Sequence, residues 1–333
     1  MKPGPARGTQ PPEEKARWHE TDVERPRSHA PQAIGPEEGH GLYGNLTRVL
    51  IELLQGVGRK ERLRLEPLLQ PVETLVSRAP VLEEFYRLAL STRGEGNALS
   101  DHLVHVATFA VKIGKGLRMP EPRLKRLALA ALLHDIGICM VPPELRHKQG
   151  KLTAQETAQI QRHPDYGYQI IKAHLGDQFL WLAEVIRQEH ERENGAGYPR
   201  GLSGDAIDEM AKTIAVADVY EALTHDRPQR PRLLPYRAVR EIMEKNKGQF
   251  SPRVLKAGLQ QISVFPLNSL VRLNSNAVAR VVETHEGQPL RPTVRILYDP
   301  KGDYVGEGRV LSLRENPLLY IVDSVDESEI SPH

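Results

Sequence analysis

Leu133-His134-Asp135-Ile136-Gly137-Ile138-Cys139-Met140 lies in the run LALAALLHDIGICMV (127–141), which sets an imidazole and a carboxylate side by side among apolar residues. Burying such groups without partners costs several kcal/mol, so either a structural hydrogen-bond pair or a metal must hold them. Around this stretch, residues 98–262 carry apolar residues at helical spacing in LSDHLVHVATFAVKIGKGL, EPRLKRLALAALLHDI, TAQETAQIQRH, FLWLAEVIRQEHE, AKTIAVADVYEALT and YRAVREIMEKN. One long loop, RENGAGYPRGLSGDAI, interrupts them.

The flanking sequence divides the chain further. Residues 1–40 are dense in proline, glycine and charge with few aliphatics, which predicts a disordered tail. Residues 41–97 predict short packed helices, broken near Gly56 to Gly58 and at Pro71 and Pro80. After Pro266 the pattern alternates, in LVRLNS, VARVVETHE, TVRILYD and YVGEGRVLSL, with a turn signal from Asp299 to Asp303. The expected fold is therefore mainly α: a disordered tail (1–40), a helical segment (41–97), a helical bundle (98–262) and a small antiparallel β module (263–333).

Composition removes several classes of function. With 333 residues, a net charge of +2, 39% hydrophobic and 26% charged residues, nothing marks a nucleic-acid or membrane-surface protein. No run approaches the roughly 18 apolar residues that span a bilayer, and the charged N-terminus lacks the apolar core of a signal peptide. The single cysteine, Cys139, excludes an internal disulfide and any multi-cysteine zinc site and suits a reducing, cytoplasmic setting.

Of thirteen histidines, His19, His29 and His40 fall in the expected tail and His333 ends the chain. His102, His134 with Asp135, His163, His190 beside Glu189 and Glu191, and then Asp218 follow one another at gaps of 32, 29, 27 and 28 residues (134−102, 163−134, 190−163, 218−190). Each gap suits one helix and a connection, so each ligand could come from a different helix and project into the middle of a bundle. Histidine with carboxylate suits iron, manganese or zinc. A carboxylate such as Asp135 can bridge two ions about 3.5 to 4 Å apart, an arrangement that activates water and clamps a phosphodiester. Taken singly, each histidine reads first as a hydrogen-bonded core or surface residue, and Asp218 could equally cap or pair locally.

HDIG at His134 to Gly137 and EHERENGAGYPRGL from Glu189 to Leu202, joined by VPPEL, KQGKLTAQETAQIQRHPDYGYQII and AVADVYEALTHDRPQR, resemble the HD-GYP family of HD-superfamily phosphodiesterases that hydrolyse cyclic di-GMP. The resemblance covers about residues 98–262 and implies an HD-type helical bundle. It makes His102, His134, Asp135, His163, His190 and Asp218 metal ligands, with His134 and Asp135 at the catalytic centre and two divalent ions, iron or manganese, as cofactors. It places Arg227 and Arg230 on the phosphates of cyclic di-GMP, where arginine forks suit phosphate oxygens; a solvated basic loop is the other reading of Arg230. Gly195 and Gly197 permit a tight lid. The family also uses the Gly195 to Pro199 loop to meet protein partners, and Tyr198 could touch substrate or partner. The β tail resembles, more loosely, an extension found on some members.

The sequence departs from that family at four places. Glu189 stands where members carry the first of two histidines; it can ligate a metal or face solvent, and as a ligand it weakens the ion as a Lewis acid. Ile138 replaces a lysine, Asn194 an aspartate, and Ala98 a glutamate that supports a third metal in some members. Two functions compete: a phosphodiesterase that linearises cyclic di-GMP to pGpG and onward to GMP, and a catalytically weak or inactive module that binds metal and dinucleotide and acts through partners.

Overall fold

The computed structural model describes residues 36–91, 98–146, 148, 150–226, 230–245, 248–262, 264–285, 287–306 and 308–330. Three helices come first: α1 (Pro36–Gly58), α2 (Glu66–Ser77) and α3 (Ala79–Ser91). The tail expected over 1–40 thus ends earlier than its composition implied, because Pro36 to His40 already belong to α1; the first 35 residues lie outside the described set. Side-chain contacts dock the start of α1, with an ion pair of Glu38 and Arg78 at 3.2 Å and His40 3.2 Å from Glu84. Pro71 does not break α2 as expected. It lies in the helix interior and removes one backbone donor without ending the apolar stripe of Leu68, Val72, Leu75 and Val76.

Residues 98–262 fold as α4 (Ala98–Gly116), α5 (Glu121–Leu133), a 3-10 turn (Ile136–Met140), α6 (Pro143–Arg146), α7 (Ala154–Ile160), α8 (His163–Leu175), α9 (Leu180–Arg187), α10 (Glu209–Thr224), α11 (Pro235–Lys245) and α12 (Pro252–Gln261). Local chemistry sets several boundaries. Thr153 and Glu156 form a reciprocal capping box at α7, and the Asp208 carboxylate accepts the Met210 N–H at the start of α10. Gly176, at φ 73°, ends α8 in the left-handed region.

Helix α10 is largely buried between Met210 and Thr224, with Lys212, Asp218, Val219 and Ala222 half-buried, and packs on α4, α11 and α12; Phe109 of α4 meets its Tyr220 edge-on at 5.0 Å. One apolar core runs from Leu46 to Ile262, so α1 to α3 share it with the later helices. Its side chains fix α4, α5 and α10, the scaffold that carries His102, His134 and Asp218.

The chain closes in five antiparallel strands, β1 (Leu270–Leu273), β2 (Val278–Glu283), β3 (Thr293–Tyr298), β4 (Val310–Ser312) and β5 (Ile321–Val325), in the order β4-β3-β2-β1-β5. Alternation turns Val271, Leu273, Ala279, Val281 and Val294 into a second core. The sheet meets α11 through the Tyr236 and Phe265 rings, stacked at 5.0 Å, and through Arg237, 3.2 Å from both Asp323 and Glu329. The mainly α bundle with a small β module agrees with the sequence.

Candidate metal centre

Five chain segments converge on one place in the bundle. His102 sits within α4, His134 ends α5, Asp135 opens the 3-10 turn, His163 begins α8, and Asp218 lies in α10. Glu189 and His190 do not lie on a helix as expected; α9 stops at Arg187 and they occupy the turn beyond it. Gly137 makes the convergence possible, since a Cβ there would overlap the His163 carbonyl oxygen and lie 2.5 Å from the Gly167 nitrogen. The glycine after the His-Asp pair therefore lets the turn rest on the start of α8.

The side chains form two clusters that share Asp135: His102, His134 and Asp135, and then Asp135, His163, Glu189 and His190. Asp135 Oδ1 is 3.1 Å from His163 Nε2, while Oδ2 is 3.7 Å from His134 Nε2 and 3.8 Å from His102 Nε2. Within the clusters the imidazoles face each other, His102 Nε2 to His134 Nε2 at 3.3 Å and His163 Nε2 to His190 Nε2 at 3.0 Å. Asp218 Oδ1 joins the first cluster 3.5 Å from His102 Nε2. Glu189 is 1% exposed, which answers whether it faces solvent, and its Oε1 lies 2.9 Å from His190 Nε2.

These residues fit a divalent cation. His134 Nδ1 donates to the Ala131 carbonyl at 2.8 Å and His163 Nδ1 to the Ile160 carbonyl at 2.9 Å, which leaves both Nε2 atoms facing inward. Inward nitrogens 3.0 to 3.3 Å apart, beside carboxylates, form a donor set for an ion. Glu189 Oε2 is buried with no hydrogen-bond partner among the described residues and looks across at His134 Nε2, 3.6 Å away.

Without a cation the charges lean on one another. Burial drives the His163 pKa down, but Asp135 and Glu189 outweigh it and raise it to about 11. His102, also opposed by burial, is raised to about 9 by Glu221, Asp218 and Asp135. Burial likewise works against the charged forms of Asp135 and Glu189, yet the neighbouring histidines hold both carboxyls well below their usual range. The Tyr198 hydroxyl is pushed up by burial and then by Glu189 and Asp135.

A family model of the HD domain matches residues 78–254, more than half of the chain, and spans every residue of both clusters. The chain belongs to the HD domain family. Its His134-Asp135 pair and Gly197-Tyr198-Pro199 loop put it in the HD-GYP branch. A second model, a KOW domain associated with HD domains, matches residues 270–333, the β module. Among relatives, a cyclic di-GMP phosphodiesterase of Pseudomonas aeruginosa is 35% identical over 200 residues, 60% of this chain and 48% of its own length. A 3'3'-cGAMP-specific phosphodiesterase of Vibrio cholerae is 40% identical over 129 residues, 39% of this chain and 30% of its own. The chain thus spans less than half the length of either curated relative. In fold it is similar to an HDG"Y"P protein of Bdellovibrio bacteriovorus, with a TM-score of 0.53 and 21% identity over 67% of this chain and 71% of that one.

In this HD domain the GYP loop stands beside the second cluster. Tyr198 stacks on His190 with ring centres 4.6 Å apart, and its N–H donates to the His190 carbonyl. A Cβ on Gly197 would overlap that same carbonyl, so only glycine lets the loop lie so close. Glu191, buried, ties the loop down by accepting the N–H groups of Arg200 and Leu202, both at 2.8 Å. Arg230 turns its guanidinium onto the carbonyls of Ala222 and Leu223 at the end of α10, and no described contact joins it to the clusters. Arg227 lies outside the described residues. Ile138 is half-buried in the 3-10 turn and brings no charge.

Sequence reasoning missed Glu221. Its Oε2 accepts from His102 Nδ1 at 2.7 Å and its Oε1 lies 3.4 Å from His105 Nδ1 and from His225 Nδ1. The available signal was helical spacing, with His105 three residues after His102 and Glu221 three after Asp218.

Proposed function

We propose that this HD domain is a metal-dependent phosphodiesterase that opens cyclic di-GMP to linear pGpG. The observation that carries the proposal is the sharing of Asp135 between two facing pairs of imidazoles, which suits two ions held side by side. In this reading His102, His134 and Asp135, with Asp218 beside them, hold one ion, and Asp135, His163, Glu189 and His190 hold the other. Manganese or iron suits the mixture of imidazole and carboxylate. When bound, the ions supply Lewis acidity and a nucleophilic water at neutral pH. The chain does the rest: His134 and His163, each fixed through Nδ1, set the ligand geometry, Tyr198 walls one side of the second cluster, and Arg227 meets a phosphate. Arg230 ties its own backbone position to the end of α10.

In this reading residues 98–262 carry the chemistry in the cytoplasm, residues 41–97 brace it, residues 263–333 form a separate module, and the Gly195 to Pro199 loop offers a face to protein partners. The relatives are named as phosphodiesterases, which favours turnover over a binding module without activity. A second substrate, 3'3'-cGAMP, is favoured by the Vibrio relative. Incubating chain loaded with Mn(II) with each dinucleotide and separating the products tests both. Linear pGpG supports the main reading, preferential cleavage of 3'3'-cGAMP moves the substrate, and loaded protein that cleaves neither contradicts the activity.

A further inference from the structure

Behind the first cluster lies a layer of polar side chains that touches no ion position. Glu221, 4% exposed, receives His102 Nδ1 on one oxygen and faces His105 and His225 with the other. The His105 and His225 rings stack at 4.6 Å and 21°. A metal lies near the plane of each imidazole that binds it, and two rings stacked this way cannot both aim at one ion. Their far nitrogens are also engaged: His225 Nε2 donates to the Ala89 carbonyl of α3 at 2.7 Å, and His105 Nε2 is 2.8 Å from the Tyr43 hydroxyl of α1. The layer is therefore a hydrogen-bonded link, not a further metal site.

Its direction follows from the groups. A carboxylate only accepts, so His105 carries its proton on Nδ1, facing Glu221, and Nε2 accepts from the Tyr43 O–H. The hydroxyl has a single proton, and of its two acceptors Asp101 Oδ1 at 3.3 Å is the more distant, so the 2.8 Å contact to His105 Nε2 takes it. Tyr43 to His105 to Glu221, with His102 on the other Glu221 oxygen, joins α1 to a residue of the first cluster. Tyr43 precedes the region matched by the HD domain model, which starts at residue 78.

We propose that Tyr43 is a positioning residue for His102, acting through His105 and Glu221, so that the placement of α1 sets how tightly the first ion position binds. The inference rests on the reading of His102, His134 and Asp135 as an ion site. Any contact that shifts α1 against α4 then weakens the first position while sparing His163, Glu189 and His190, which lie outside the link.

The test is calorimetric titration of Mn(II) into the full chain stripped of metal, comparing wild type, Tyr43→Phe, Glu221→Gln and the double variant. Tyr43→Phe keeps the ring that packs edge-on against Phe85 at 5.4 Å and deletes one hydroxyl. Wild type should bind in two steps. Tyr43→Phe should weaken one step by roughly 3- to 10-fold, and Glu221→Gln should weaken the same step by roughly 10- to 100-fold. The double variant should bind no more weakly than Glu221→Gln, because Tyr43 acts through that residue. Unchanged affinity in Tyr43→Phe, equal weakening of both steps, or additive losses in the double variant would each overturn the inference. Turnover is not the readout, so a chain that binds Mn(II) in two steps but cleaves no dinucleotide removes the proposed activity and leaves this inference to the titration. A wild type that takes up no Mn(II) overturns both.

Discussion

Asp135 offers one oxygen to each cluster, so its loss leaves neither complete. Asp135→Ala is expected to lose bound Mn(II), measured by metal analysis after desalting, and to lower turnover by more than about a hundredfold, the scale of one electrostatic contact at a reacting phosphate. Retained metal would return the His-Asp pair to a structural role. The raised histidines give a pH dependence. A histidine whose folded pKa exceeds its unfolded value near 6.5 stabilises the metal-free fold fully below pH 6.5 and loses that contribution as pH rises through the folded value. For His102 and His163 the window runs from about 6.5 up to about 9 and about 11. Melting of metal-free protein should therefore fall with rising pH across that window, while Mn(II) affinity rises and binding releases protons. Calorimetry in buffers of different ionisation enthalpy counts those protons, and pH-independent affinity would contradict the assignment. That the histidines and Asp135 gather in one place was legible from their recurring spacing and from the resemblance carried by HDIG and the GYP loop. Glu221, His105 and Tyr43 were not, since a single sequence shows that two residues share a helix face without showing what that face meets.

At the scale of elements, the site depends on backbone contact between the 3-10 turn and α8. Gly137→Ala should push the turn away from His163, lengthen the 3.1 Å approach of Asp135, and destabilise the fold by about 1 to 3 kcal/mol, as overpacking does. Thermal melting with and without Mn(II) checks this, and an unchanged melting point with unchanged affinity would show that the contact gives way freely. Helices α4, α5 and α10 were readable because their apolar spacing is strong. Helix α8 was not, since HPDYGYQ carries proline, aspartate and glycine that read as loop although His163 begins the helix there. The early end of α9 was equally hidden: FLWLAEVIRQEHE keeps helical spacing past Arg187, and the pull of the clusters on Glu189 and His190 shows only in three dimensions.

On the scale of the whole molecule, α1 to α5 and α8 to α12 share one core and the β module has another, so the candidate metal site is held by the helical part while the sheet docks through α11. The bundle and sheet could be foreseen from the change of periodicity after Pro266, although β5 could not, because Ile321 to Val325 is interrupted by aspartate and serine. The departures from the family pattern are expected to limit the rate of the proposed activity. Glu189 adds negative charge at the second cluster and Ile138 offers no cation to a phosphate. The double change Glu189→His with Ile138→Lys should raise turnover at saturating Mn(II) by about tenfold or more, part of the roughly hundredfold that one electrostatic contact can supply. Equal rates would show that these positions do not limit the protein. The most direct test of the central claim is metal content and cyclic di-GMP cleavage measured on one anaerobically prepared sample. The account predicts two ions per chain, linear pGpG as product, and loss of cleavage when a chelator removes the ions. Fully loaded protein that leaves cyclic di-GMP intact, or cleavage that persists after the ions are gone, would contradict it.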